Sequence, residues 1–426
     1  MEDTKSKDTF CPFPFMHLNM WMDGRLKPCC VAKDYIPDVN IFEDGLEKSY
    51  NSKGYKQLRV DMMNGKENKL CSGCYDSEKN GAYSYRNELS DRYSDLKEGL
   101  LEKTKSDGET KLEFEHLDLR PSNICNLKCR TCSPEYSTNW IAEHKDYVKK
   151  SGWTNFDGMH KTKTFELDIK SEYIENVKHI YIAGGEPLYM KQMYNFIDGL
   201  ENKENIGLFI NTNLTVINKD TFFDRFKDFK LVHLHISCDG VGEIGEFIRT
   251  NVKWDEFEDN LKFVKELREN PEINLAYNIQ ATVSILNCYH IFDMMRYMLD
   301  REYIYGDVDF TFNWVEGPYW YNVKNFNGIN LNSEGEMTDD ITSEIIELFK
   351  KERESIPELI QNPLYEDEMM KNPLWDDVTN FIVNLESNHW PNPKTLDMLR
   401  ANINHGLRYN KTKLPKDLEY INKLIV

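Results

Sequence analysis

Ten cysteines are spread unevenly along this 426-residue chain, and three of them lie within eight residues in Asp118-Leu-Arg-Pro-Ser-Asn-Ile-Cys125-Asn-Leu-Lys-Cys129-Arg-Thr-Cys132. Three thiolates in one short loop can fold around a single soft metal centre. A structural zinc ion would want a fourth ligand, and the nearest histidines in sequence, His116 and His144, are poorly placed to supply it. Three protein ligands leave one coordination position open. On a four-iron cluster, an open iron is where another molecule can bind and receive an electron.

A second set of thiols precedes the first. Cys11 and Cys29 flank a hairpin turn expected at Asp23-Gly24, which would bring two strand ends together, and Cys71-Ser-Gly-Cys74 supplies two more ligands. Four thiolates suit zinc and an iron–sulfur cluster alike, so spacing leaves that choice open. Cys30 is surplus and could replace Cys29. Cys238 and Cys288 stand alone and read as small buried hydrophobes.

The stretch from Met1 to Phe10 contains no apolar segment of the kind a secretory signal needs, and no apolar run approaches the roughly 18 residues of a membrane span. A cytoplasmic protein with no membrane partner is expected. In a reducing cytosol, clustered cysteines serve as ligands or reactive thiols more often than as disulfides. The formal net charge of −19 opposes general nucleic-acid binding, because phosphates are met by Lys and Arg. A hydrophobic content of 40% marks a globular chain, long enough at roughly 150 residues per domain for two or three domains.

These residues need elements to position them. After about residue 110, short apolar runs alternate with amphipathic stretches, the pattern of repeated β-α units around a parallel sheet. Phe114–Leu119, His179–Ala183, Gly207–Asn211, Leu231–Ser237, Leu275–Val283 and Val308–Trp314 read as strands. Between them Pro134–Lys150, Lys191–Leu200, Lys219–Phe229, Trp254–Glu269 and Ile291–Arg301 read as helices. The fold class predicted is α/β, a partial (β/α)6 TIM-type barrel with a small N-terminal cluster-binding domain and a C-terminal helical region. The polar Ser151–Lys170 reads as a surface insertion, and the charged Lys105–Lys111 as part of a linker. Beyond residue 330, Ile341, Ile345, Leu348 and Phe349 form one apolar stripe with Thr338 as its N-cap, and Leu374, Val378, Phe381, Ile382 and Leu385 form another. Both stripes read as packing. The aromatic run Trp314 to Tyr321 is assigned either to the substrate pocket or to the core.

The Cys-x3-Cys-x2-Cys spacing after a first barrel strand resembles the signature of the radical S-adenosylmethionine (SAM) superfamily. That resemblance implies that Cys125, Cys129 and Cys132 hold a [4Fe-4S] cluster whose fourth iron is chelated by SAM. One electron then cleaves SAM to methionine and a 5′-deoxyadenosyl radical, which takes hydrogen from a substrate. Thr131 stands where the family often has an aromatic residue. The Gly184-Gly185-Glu186-Pro187 string at the end of the second strand resembles the motif that meets the amino end of SAM. Asn211 and Asn213 after the third strand, and Ser237 and Asp239 after the fourth, resemble ribose- and carboxylate-side elements. Arg249 resembles the arginine that pairs with the SAM carboxylate. The glycines Gly240, Gly242 and Gly245 also spell a dinucleotide-binding turn, but no β-α unit of that type supports it.

The N-terminal pattern is similar to the SPASM/twitch accessory domains of these enzymes. It implies an auxiliary [4Fe-4S] cluster on Cys11, Cys29, Cys71 and Cys74, here ahead of the barrel rather than behind it. The division expected is 1–90 for the cluster domain, 91–112 for a linker, 113–330 for the barrel and 331–426 for a helical extension. The function implied is a radical SAM enzyme acting on a peptide or protein as a maturase, with a low-potential electron donor such as flavodoxin or ferredoxin. A dehydrogenase acting on a small molecule such as a sugar or cyclitol is one alternative, and a non-catalytic zinc protein another.

Overall fold

The computed structural model describes residues 8–151, 161–315, 317–326, 341–359, 373–387, 394–418 and 420–421. Among them the strands are β1 (His17–Met20), β2 (Leu26–Lys27), β3 (His116–Leu119), β4 (Lys128–Cys129), β5 (His179–Ile182), β6 (Gly207–Thr212), β7 (Leu231–Ser237), β8 (Arg249–Thr250), β9 (Leu275–Val283) and β10 (Phe310–Trp314). The six strands expected of the barrel are present as β3, β5, β6, β7, β9 and β10. The class is α/β, with a mostly parallel sheet and helices between its strands.

The chain divides into two compact units. The first comprises Met1–Asn123, Lys163–Ile210 and Asp228–Val232. In it β3 pairs in parallel with β5, and β5 with β6. β1 also joins this sheet, parallel to β3, with His17 opposite His116 and Asn19 opposite Asp118. The hairpin expected at Asp23-Gly24 implies a strand here but not its place beside β3, because all four of its residues are buried and leave no alternation to show which face meets a neighbour. β1 and β2 form the expected hairpin, with Gly24 at φ 81° in the turn. The Lys105–Lys111 segment is a turn closed by Thr104 and Thr110 and anchored by the Arg59 guanidinium, whose Nη1 donates to the Gly108 carbonyl at 3.1 Å. Lys163, within the polar insertion, accepts the Asn123 amide on its carbonyl at 3.1 Å and donates its own amide to Asn123 Oδ1 at 2.8 Å.

The second unit comprises Ile124–Thr162, Asn211–Lys227 and His233–Val426. Here β9 pairs in parallel with β10, and the short β4 pairs antiparallel with β8. β7 alternates buried and half-buried residues, the period of two that made it legible. Helix Trp254–Arg268 buries Trp254, Phe257, Leu261 and Val264 along one stripe, with Asp255 and Glu256 in its first turn and Lys265 and Arg268 in its last, matching the helix dipole. Both C-terminal stripes pack inward, since Ile345, Phe349, Val378, Phe381, Ile382 and Leu385 are buried. Thr338 and the side chains of Ile341 and Leu374 lie outside the described residues. A third helix, Lys394–Asn410, was not expected, because Asn402, Asn404 and Gly406 are weak helix formers. It buries Met398, Leu399 and Ile403. The aromatic run belongs to this core: Trp314 stacks on Phe381 at 4.1 Å, and the Tyr321 hydroxyl donates to Asn402 Oδ1 at 2.5 Å.

Candidate functional site

In the second unit, the three-cysteine loop is pinned by its own backbone. Cys129 lies opposite Arg249 in the β4–β8 ribbon, and the Arg130 amide donates to the Ile248 carbonyl at 2.8 Å. The Cys132 amide donates to the Cys129 carbonyl at 3.0 Å, and the Trp140 indole N–H donates to the same oxygen at 2.8 Å. Burial raises the Cys132 thiol above the ordinary range, and Cys129 and Cys125 raise it further. A thiol so placed ionises when a cation compensates it, which is the condition a metal centre supplies.

Arg249 is half-buried, and its Nη1 donates to the buried Asp239 Oδ2 at 2.8 Å. Asp239 is itself held, since Oδ1 accepts the Thr282 amide at 2.7 Å. Burial opposes the Arg249 charge, but Cys129 and Asp239 beside it reverse that and keep the guanidinium charged. Arg249 Nε is buried without a hydrogen-bond partner. This leaves a cation beside the loop with donor capacity to spare, suited to a carboxylate.

Asn213 donates to Asn126 Oδ1 at 2.9 Å, lies 3.9 Å from Cys125 Sγ through the same nitrogen, and accepts from the Thr215 amide. Asn211, at the end of β6, keeps a buried Oδ1 without a partner, and Ser237 ends β7 half-buried. Sequence reasoning missed Asn126, Thr215 and Thr282, because each acts through another residue and carries no motif of its own. The structure thus brings Cys125, Cys129, Cys132, Asn213, Asp239 and Arg249 together. Gly240 and Gly245 form a tight loop-to-helix junction, where a Cβ on Gly245 would meet the Gly240 carbonyl oxygen at 2.4 Å.

In the first unit, Gly184 adopts φ 119°, and a Cβ there would approach the Ser122 carbonyl oxygen to 2.6 Å. The Gly185 amide donates to that same oxygen at 2.8 Å. Glu186 is buried and caps the short turn that follows by accepting the Leu188 amide at 3.0 Å. The same unit holds the second thiol set. Cys11, Cys29, Cys71 and Cys74 line one cavity with Leu70 and Leu89. Cys30 is exposed and does not line it. Burial pushes Cys11 and Cys71 up to about 12, and neighbouring cysteines add to the effect. Among the described residues, no three His, Cys, Asp or Glu side chains converge on a single-ion position. Both sets offer donors of the soft type an iron–sulfur cluster takes.

Family models match two stretches of the chain. The radical SAM superfamily model matches residues 119–277, and an iron–sulfur cluster-binding domain of the SPASM type matches residues 11–75. The chain thus carries a radical SAM domain and, at its N-terminal side, a SPASM domain. These two domains imply a SAM-binding [4Fe-4S] cluster, an auxiliary cluster and SAM. Among curated proteins, the GTP 3′,8-cyclase of Sulfurovum sp. (strain NBC37-1) is 26% identical over 189 residues, 44% of this chain and 52% of that protein. The GTP 3′,8-cyclase of Campylobacter lari is 28% identical over 134 residues, 30% of this chain and 36% of that one. The chain therefore spans about half or less of the length of these relatives. Among solved structures, Streptococcus suis SuiB bound to precursor peptide SuiA aligns with a TM-score of 0.36 at 13% identity, over 80% of this chain and 69% of that one. Native anSMEcpe with bound AdoMet and Cp18Cys peptide aligns at 0.37 with 18% identity, over 55% and 59%.

Proposed function

We propose that this protein reductively cleaves SAM at Cys125, Cys129 and Cys132 and directs the resulting radical to a peptide or protein substrate. The observation that carries the reading is the three-thiol loop held opposite a half-buried, charged Arg249. When bound, the cluster supplies the single electron that splits SAM into methionine and a 5′-deoxyadenosyl radical. Arg249, fixed by Asp239, would pair with the SAM carboxylate, while Asn211, Asn213 and Ser237 offer polar contacts to hydroxyls. Gly184, Gly185 and Glu186 present backbone and carboxylate to an amino group. Cys11, Cys29, Cys71 and Cys74 would hold the auxiliary cluster, with Cys29 rather than Cys30 as ligand because only Cys29 lines the cavity.

In this reading residues 1–90 are the auxiliary-cluster domain, 91–112 a connection, 113–330 the catalytic barrel and 331–426 a helical extension. A low-potential flavodoxin or ferredoxin of the cytoplasm supplies the electron. Among the described residues no helix is long and apolar enough to cross a membrane. A second substrate reading, a small molecule, is favoured by the names of the curated relatives, which are GTP 3′,8-cyclases.

The deciding experiment is anaerobic reconstitution followed by reduction with SAM present. About eight irons per chain and formation of 5′-deoxyadenosine are expected. Zinc alone, with no SAM cleavage, would overturn the proposal in favour of a structural zinc protein. Deuterium transfer into 5′-deoxyadenosine from labelled peptides, and not from labelled nucleotides or sugars, separates the two substrate readings.

A further inference from the structure

Two cationic residues flank Cys129, and both run to the C-terminal helix Lys394–Asn410. Lys128 is buried, and its Nζ donates to Glu143 Oε2 at 2.6 Å. Glu143 is only 2% exposed, so this pair is almost fully withdrawn from water. Asn410, at the end of the helix, closes the arrangement: its Oδ1 accepts from Lys128 Nζ, and its Nδ2 donates to Glu143 Oε2 at 3.2 Å. The Tyr409 ring lies 5.1 Å from the same ammonium. On the other side of Cys129, Arg130 is 3% exposed, stacks over Phe247 at 4.0 Å, and donates through Nε to the Phe247 carbonyl at 3.0 Å. Its guanidinium fills the space that a side chain at position 406 would need, since a Cβ on Gly406 would come within 2.7 Å of Arg130 Nη1.

A buried ion pair of this kind is costly to assemble and adds little net stability over an apolar pair, so its value lies in fixing geometry. Here the fixed object is the three-cysteine loop. Backbone pairing alone leaves Cys129 on a ribbon of two residues per strand, too short to hold a register unaided. The Lys128 and Arg130 anchors supply the missing constraint from 282 residues away in the sequence.

We propose that helix Lys394–Asn410 is a positioning element for the SAM-binding loop, acting through Asn410 on Lys128–Glu143 and through Gly406 on Arg130. This rests on the reading of that loop as the SAM-cluster site. None of these residues touches SAM; they set where Cys129 and Arg249 stand relative to each other. The end of the helix, at Gly406 and Asn410, is therefore a positioning element rather than a cover.

The test uses the full-length reconstituted holoprotein as wild type, Asn410→Ala, Gly406→Leu and the control Arg408→Ala, an exposed position on the same helix. The readouts are iron content, thermal melting, the change SAM causes in the electron paramagnetic resonance spectrum of the reduced cluster, and KM for SAM against kcat. Expected are wild-type iron content and melting in Asn410→Ala, a weakened and broadened SAM-induced spectral change, and KM for SAM raised about tenfold with a smaller loss in kcat. Asn410→Gln, which keeps both an acceptor for Lys128 and a donor for Glu143, should recover most of the spectral response. Gly406→Leu should show the larger defect, and if it melts early Asn410→Ala alone decides. A SAM response in Asn410→Ala identical to wild type overturns the proposal. A wild-type protein whose spectrum does not respond to SAM overturns the underlying reading of the loop instead.

Discussion

The two thiol sets differ in how much chain they close. Cys125 to Cys132 spans eight residues, whereas Cys11 to Cys74 spans 64. Bridging a long loop removes far more freedom from the unfolded chain than bridging a short one. The four-cysteine cavity is also walled by Leu70 and Leu89, while the three-cysteine loop adjoins the polar group of Asn126, Asn213 and Arg249. In the proposed assignment, four thiols around one cavity act as a staple, and three thiols beside a charged arginine make a place for a ligand to arrive.

The largest effect expected from this difference is catalytic. Cys129→Ala should abolish SAM cleavage, while Cys71→Ala should impair turnover yet leave uncoupled 5′-deoxyadenosine formation, measured by chromatography of the reduced mixture. Equal loss in both variants would erase the distinction. Next comes stability. The double variant Cys71→Ala/Cys74→Ala should lower the unfolding free energy of the holoprotein by about 3–5 kcal/mol, and Cys129→Ala by less than about 1 kcal/mol, because only the former opens a long loop. Denaturant titration under anaerobic conditions measures both, and a reversed order would break the comparison.

A smaller effect asks whether the first unit depends on its cluster alone. His17, His116 and His179 face one another across β1, β3 and β5, with ring centroids 5.0 and 5.6 Å apart. Burial lowers all three, His17 to about 3. A histidine lowered on folding binds fewer protons folded than unfolded, so its contribution is full above the unfolded value of about 6.5 and is lost as pH falls toward the folded one. At pH 5 the loss is about 2 kcal/mol for His17. His17→Gln should flatten the melting temperature between pH 7 and pH 5, and an unchanged slope would remove the ladder from the account.

How much of this was legible varies with the range of the interaction. β7 and helix Trp254–Arg268 announce themselves by periods of two and 3.6, because one face of each is buried. The three-cysteine loop is legible because its residues are adjacent in sequence. The seat of β1 beside β3 was not, since a strand buried on both faces loses its alternation and carries no mark of its neighbour. Nor was the hold of Asn410 on Lys128, which joins positions that local pattern cannot relate. The aromatic run Trp314 to Tyr321 left core and pocket undecided until Phe381 and Asn402 showed what it packs against.

The parallel seat of β1 beside β3 also bears on how such a protein can be cut or recombined. Residues 17–20 supply backbone partners along the whole length of β3, so removing the N-terminal segment would expose a bare sheet edge of the kind that drives intermolecular pairing. The N-terminal cluster domain is thus no detachable module. A graft or truncation that respects the cysteines but drops His17–Met20 would be expected to aggregate, while one that carries β1 along inherits the sheet.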